Sequence, residues 1–174
     1  MAIKTILTEP NKKLRQVSLP VEKIGKEEQN LMNDMLETMY DAKGIGLAAI
    51  QIDVPKRIIV LDISKSENEK KPIFFVNPLI INKDLNLTTY EEGCLSVPDQ
   101  FAEIDRPSKC EVEYLDYVGN KKLLKANGLL ATCIQHEIDH LEGVLFIDYL
   151  SKLKKSMILK KLSKQKNKPD RIII

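Results

Sequence analysis

Tryptophan is absent from this chain of 174 residues, histidine occurs only twice and cysteine only three times. Cys94, Cys110 and Cys133 are an odd number and too few for a disulfide framework, which predicts a reducing compartment with free thiols or a thiolate ligand. No stretch approaches the roughly 18 to 20 apolar residues of a membrane span. The opening MAIKTILTEPNKKLRQ has no apolar core of the secretion-signal kind and carries acid and proline early. The expectation is a cytoplasmic monomer with no membrane segment. Repeats, low-complexity tracts and convincing linkers are missing too, and 43% hydrophobic with 30% charged residues suits one domain with a proper core.

Net positive charge is concentrated at the end of the chain. Ser151 to Ile174 holds nine Lys/Arg against Asp170 alone, a balance of +8 that leaves −6 for residues 1–150. Residues 151–174 are therefore read as a basic C-terminal helix and tail, part of the same domain as residues 1–150.

Periodicity supplies the elements. Residues 3–7 are expected to form a short strand. Leu31, Met32, Met35, Leu36, Met39 and Tyr40 recur at helical spacing between Glu27 and Lys43, with Gly44 as the stop signal. Gly44 to Gln51, GIGLAAIQ, reads as a tight loop. Strands are expected over Arg57 to Ile63 and Ile73 to Ile81, the second interrupted by Asn77-Pro78, which argues for an edge or a bulge. Cys110 to Leu115 and Lys121 to Leu124 flank a five-residue turn and read as an antiparallel hairpin. Asn127-Gly128 opens a helix that Gly143 closes, and Ser151 to Gln165 forms the last helix. The fold class is α+β, a mainly antiparallel sheet packed around a central metal-binding helix, with an N-terminal and a C-terminal helix.

Both histidines sit in that central helix, in Gln135-His136-Glu137-Ile138-Asp139-His140-Leu141. Residues four apart lie one turn apart on one helical face, so two imidazoles spaced H-E-x-x-H can bind one metal ion, with Glu137 beside them as a base for hydrolysis. An amphipathic helix with two surface histidines is the alternative. A catalytic mononuclear site takes three protein ligands. After His140 the only acids are Glu142, Asp148 and Asp170 and there is no third histidine, so the third ligand is sought upstream. Cys94, between Gly93 and Leu95-Ser96-Val97-Pro98, suggests an exposed bend and is the candidate, since a thiolate completes a Cys/His/His set. Cys110 reads as structural. Cys133, one turn before His136, reads as lining the site, because one helix rarely gives three ligands to a tetrahedral centre. Gly46 allows close backbone approach to a ligand, and the neutral amide of Gln51 is a donor suited to an oxyanion.

Three ordered segments carry a resemblance: Gly44-Ile45-Gly46-Leu47-Ala48-Ala49-Ile50-Gln51, Glu92-Gly93-Cys94-Leu95-Ser96, and Gln135 to Leu141. Together they resemble the peptide deformylase family, and the similarity runs from Ile3 to about Leu162, including Leu14-Arg15 and Gly143-Val144-Leu145-Phe146. The resemblance implies a divalent metal bound by Cys94, His136 and His140, with Fe(II) as the native ion and Zn(II), Ni(II) or Co(II) accepted. It implies Glu137 as general acid and base, and the Gln51 amide with the Leu95 backbone N–H as oxyanion donors. Gly46 would pair with the peptide, and Ile45, Leu129 and Cys133 would form a methionine pocket. The implied substrates are N-formylmethionyl peptides, and the basic C-terminal helix implies ribosome contact. Ile50 stands where many members have proline, and Phe101 where some bacterial members have arginine. A small zinc metallopeptidase or another metal amidase is the competing enzyme class, and an RNA- or ribosome-binding module the non-enzyme one.

Overall fold

The structure is a computed structural model that describes residues 2–166. A five-stranded antiparallel sheet is ordered β1 (Gly46–Ala48), β2 (Ile58–Leu61), β3 (Ile73–Lys83), β6 (Lys109–Leu115), β7 (Lys121–Asn127). Between β3 and β6 the chain leaves it to form a separate two-stranded hairpin, β4 (Leu87–Cys94) with β5 (Val97–Pro107). Three helices complete the described chain: α1 (Lys26–Asp41), α2 (Gly128–Leu141) and α3 (Lys152–Lys166).

Strand β2 explains the layering. Successive side chains of a strand point to opposite faces, and all four residues of Ile58–Leu61 are buried. Ile58 and Val60 pack with Met32, Met35 and Met39 of α1, while Ile59 and Leu61 pack with Ala131, Cys133, Ile134 and Leu141 of α2. A continuous apolar run is thus what a strand covered on both faces requires. The methionine stripe is core. Cys110 is buried in the α2 layer as a structural thiol. A third cluster joins Val97 and Ile104 of β5 to Leu145, Phe146 and Ile147 and to Ile158 and Leu162 of α3, so the last helix rests on the hairpin.

Several expectations need correction. Residues 3–7 are extended but pair with no strand: Lys4 N–H donates to Thr38 Oγ1 at 2.9 Å and Leu7 N–H to the Gln51 carbonyl at 2.7 Å. Single bonds to scattered acceptors replace a ladder. GIGLAAIQ is no loop, because Gly46–Ala48 is edge strand β1 and Ala49–Ile52 a buried 3-10 turn. Ile50 is fully buried in the core. Helix α1 ends before Gly44. Lys43 takes the left-handed conformation at φ 56°, and Gly44 N–H closes the turn on the Met39 carbonyl at 2.9 Å. Asn77-Pro78 marks a bulge in β3, which is an interior strand. The bulge is pinned by Asn77, whose side chain exchanges two 2.8 Å bonds with the Val21 backbone.

The helix that matters most is bounded as its glycine suggests. At the end of α2, Gly143 sits at φ 73°, Val144 N–H bonds the Asp139 carbonyl at 2.9 Å, and Gly143 N–H bonds that of His140 at 3.1 Å. These two bonds are the terminating motif that wants glycine at this position. A Cβ here would lie 2.4 Å from the Arg15 carbonyl oxygen. Arg15 itself clasps the two ends of the described chain, binding Glu9 at 2.6 Å on one side and Asp148 on the other, while Lys155 of α3 shares Asp148 at 2.5 Å. Gly143→Ala meets both a left-handed backbone and a backbone clash, and is expected to cost more than about 2 kcal/mol. A urea melt would read this as a lower midpoint at unchanged slope, and a loss under about 1 kcal/mol would show the turn to be unstrained.

Candidate metal centre

Helix α2 runs through the middle of the molecule with unusual polar content for a buried element. Thr132, Gln135, His136, Glu137 and His140 are all buried. The β4–β5 hairpin brings the third donor. Its register slips between Gly93 and Cys94, so Cys94 stands at the strand end opposite Val97, half-buried beside α2. The expected exposed bend is therefore the tip of a long hairpin.

The donor atoms of Cys94, His136 and His140 lie within 4.8 Å of one another, with Cys94 Sγ 3.2 Å from His140 Nε2. Donors about 2.0 to 2.3 Å from a tetrahedral ion are about 3.5 Å apart, so small adjustments would let these three hold one. The nitrogens are prepared for it. His136 Nδ1 donates to Glu92 Oε2 at 2.8 Å, which fixes the ring and leaves Nε2 for the centre. Burial, then the charge on His136, drives the pKa of His140 well below the ordinary value, so it is the neutral imidazole a metal needs. Burial opposes charge on His136 as well, but hydrogen bonds to Cys94 and Glu92 outweigh it and raise its pKa, so a metal binding there displaces a proton. The donor set fits a divalent transition metal.

Glu92 is held by more than His136. Arg106 of β5 donates to both its oxygens, Nε at 2.6 Å and Nη2 at 3.0 Å, and with its third nitrogen, Nη1, to Asp139 at 2.8 Å. Both members of the pair are buried. Burial raises the Glu92 pKa, yet bonds from His136 and Arg106 bring it below the usual carboxylate range. This is a buried support of His136 and not an exposed ion pair.

Glu137 is the other carboxylate. Its Oε2 has no hydrogen-bond partner among the described residues, and burial is the main cause that lifts its pKa to about 7. A base poised near neutrality is what proton transfer at that pH needs. Gly46 makes room for it: a Cβ on Gly46 would lie 2.3 Å from Glu137 Oε1 and 2.8 Å from Leu61 Cδ2. Gly44 does the same for Leu95, whose Cδ1 would lie 2.7 Å from a Cβ there. The glycines thus let β1 lie against α2 and the hairpin tip.

Gln51 is buried and held at both ends of its amide. Its Oε1 accepts from Ala48 N–H at 2.9 Å, and its Nε2 donates to Ser96 Oγ at 3.0 Å while lying 3.6 Å from Cys94 Sγ. Beside these groups opens a cavity of about 540 Å³, lined among others by Ile45, Gly46, Tyr90, Phe101, Leu129 and Cys133. Burial pushes the Cys133 thiol up to about 12, so it is a neutral wall group. Phe101 is exposed with its ring over Gly93. Every site residue expected from the sequence therefore gathers here. Asp139, Phe146 and Tyr149 were not anticipated. Phe146 stacks on His136 with ring centroids 6.2 Å apart and planes 24° apart, and nothing in its local sequence marks that.

Two imidazoles, a thiol, a buried carboxylate and an amide around one cavity define a metal-dependent hydrolase site. A family model described as polypeptide deformylase matches residues 3–156. The chain is 73% identical over 174 residues to a peptide deformylase of Pelagibacter ubique, covering all of both chains, and 56% identical over 164 residues to that of Rhizobium meliloti, covering 94% of each. The crystal structure of peptide deformylase from Ehrlichia chaffeensis in complex with actinonin matches with a TM-score of 0.92 at 41% identity, over 97% of this chain and 100% of that one. The chain belongs to the peptide deformylase family, whose members are metal-dependent enzymes. Gly46→Ala should push Glu137 out of place and lower kcat about a hundredfold at unchanged metal content. Formate release with metal analysis checks this, and wild-type turnover would show that the close approach is not needed.

Proposed function

We propose that the chain removes the formyl group from the N-terminal formyl-methionine of nascent polypeptides, releasing formate. The observation that carries the reading is the Cys94, His136 and His140 triplet beside Glu137, whose Oε2 is unpartnered among the described residues and which lines the same mainly apolar cavity. Cys94, His136 and His140 would hold the metal, which when bound supplies Lewis acidity to water and to the formyl oxygen. Glu137 takes the proton from the attacking water and later delivers it to the departing amine, so one carboxyl serves both half-reactions. The Gln51 Nε2, held by its bond to Ser96, and the Leu95 backbone N–H donate to the oxyanion that forms at the formyl carbon. The backbone of Gly46 aligns the peptide, and Ile45, Leu129 and Cys133 take the methionine side chain. Among the described residues the third donor is Cys94 and none follows His140, which disfavours a thermolysin-like peptidase.

Fe(II) is the native ion we assign. One thiolate and two imidazoles accept Zn(II), Ni(II) or Co(II) equally well in kind, and intrinsic affinity does not favour Fe(II) over Zn(II), so the assignment follows the family resemblance. Residues 1–150 are assigned as the catalytic part, with 151–174 in the same domain. Burial of Ile158 and Leu162 on the hairpin supports this for the described part of that segment. Exposed Lys152, Lys154, Lys160, Lys161 and Lys164 on α3 suit a phosphate-rich surface such as the ribosome. Among the described residues no helix is long and apolar enough to cross a membrane, and we assign a cytoplasmic monomer.

Glu137→Ala should retain metal but lose formate release from a formyl-Met peptide by about a hundred- to ten-thousandfold; near-wild-type turnover would refute the mechanism. Cys94→Ser should lose metal on dialysis, and unchanged content would remove Cys94 from the ligand set. Anaerobic purification followed by metal analysis should find iron, and zinc without iron would reverse that assignment.

A further inference from the structure

We propose that Tyr149 is a positioning residue for His136, acting from the protein surface through Asp139, Arg106 and Glu92. The proposal rests on the functional reading above and adds to it a residue outside both the cavity and the ligand set. The path is continuous. The Tyr149 hydroxyl donates to Asp139 Oδ2 at 2.7 Å, and the same oxygen accepts from Arg106 Nη1 at 2.8 Å. Arg106 then grips both oxygens of Glu92, and Glu92 Oε2 accepts from His136 Nδ1 at 2.8 Å. Glu92 Oε2 takes bonds from Arg106 and His136 together, so a tilt of the guanidinium plane moves the acceptor that orients the imidazole.

Tyr149 controls that plane in two ways. Its ring lies against the guanidinium, with Arg106 Cζ 4.9 Å from the ring centroid, and this face-on contact with a cation is attractive. Arg106 is 3% exposed and Tyr149 51%, so the tyrosine is the outer cover of the dry Arg106–Glu92 pair. Its hydroxyl meanwhile keeps Asp139 turned inward, although that side chain is 22% exposed and water competes for it. A phenylalanine would supply the first function and not the second, and an aliphatic side chain neither. Losing both would wet the Arg106–Glu92 pair and weaken its hold on His136.

The same short turn touches His136 from another side. Phe146 and Tyr149 begin and end the 3-10 turn Phe146–Tyr149, and residues three apart on such a turn project from one edge. Phe146 stacks directly on the His136 ring while Tyr149 reaches it through Arg106. One turn therefore fixes both the ring plane and the hydrogen bond at Nδ1.

The test uses the full chain loaded with Co(II). Visible absorption reports the thiolate and imidazole ligand field, release to excess chelator reports retention, and melting of the metal-free protein reports stability. Tyr149→Leu should release Co(II) about tenfold faster, the lower end of what partners of metal ligands cost, with altered absorption and unchanged metal-free melting. Tyr149→Phe should fall between it and wild type. Combined with Asp139→Asn it should release no faster than Asp139→Asn alone, since the two act through one bond. Wild-type spectra and release in both Tyr149 variants would overturn the proposal, as would additive effects, or faster release that only tracks a fall in melting temperature. If the loaded wild type showed no thiolate absorption, the functional reading would fail with it; wild-type absorption with unaltered variants would fell the proposal alone.

Discussion

A dry, two-pronged ion pair between Glu92 of β4 and Arg106 of β5 fastens the hairpin to the helix that carries both histidines. Taking two charges out of water is costly, and the attraction repays it only where geometry is good and the remaining polar atoms are bonded. Here three Arg106 nitrogens and both Glu92 oxygens are used. The pair is better understood as a fixture than as a source of stability. It sets where β4 ends relative to α2, hence where Cys94 meets His140, and it fixes the tautomer of His136.

Close approach is the second constraint. The β1 strand can lie beside α2 only because Gly46 has no side chain to meet Glu137 and Leu61, and the hairpin tip can seat Leu95 only because Gly44 has none either. The buried carboxylate and the amide of Gln51 then face the same space, one with an oxygen unpartnered among the described residues and the other held at both ends of its amide. Freedom and rigidity are divided between them: the carboxylate keeps one oxygen free among the described residues, and the amide is bonded at both ends.

Much of this was legible in the residues, and the reasons differ by element. The helical spacing of the α1 methionines and the pairing of His136 with His140 are periodic signals, which survive folding because the elements themselves impose the period. The hairpin β6–β7 was legible from its turn. The hairpin β4–β5 was not, since one of its faces looks to solvent and its sequence from Thr88 to Arg106 is too charged and irregular to alternate cleanly. GIGLAAIQ misled for a related reason: its small side chains report a helix lying close against the strand, and that neighbour is some ninety residues away in the chain. The contribution of Phe146 and Tyr149 was invisible because it depends on where a turn lands, and no local pattern encodes that.

Arg15 joins Glu9, near the start of the described chain, to Asp148, which also binds Lys155 in the last helix. The amides of Leu7 and Glu9, on the same segment, bond the carbonyls of Gln51 and Ser96. A clasp of this kind ties the first described segment to the start of the last helix. Loosening either terminal segment disturbs the backbone beneath the amide donor and the hairpin tip, so partial opening and loss of the site coincide. Such closure is made from contacts remote in sequence, which are entropically slow to form. The centre can therefore be complete only after nearly the whole described chain is in place, and its integrity is a report on the whole fold.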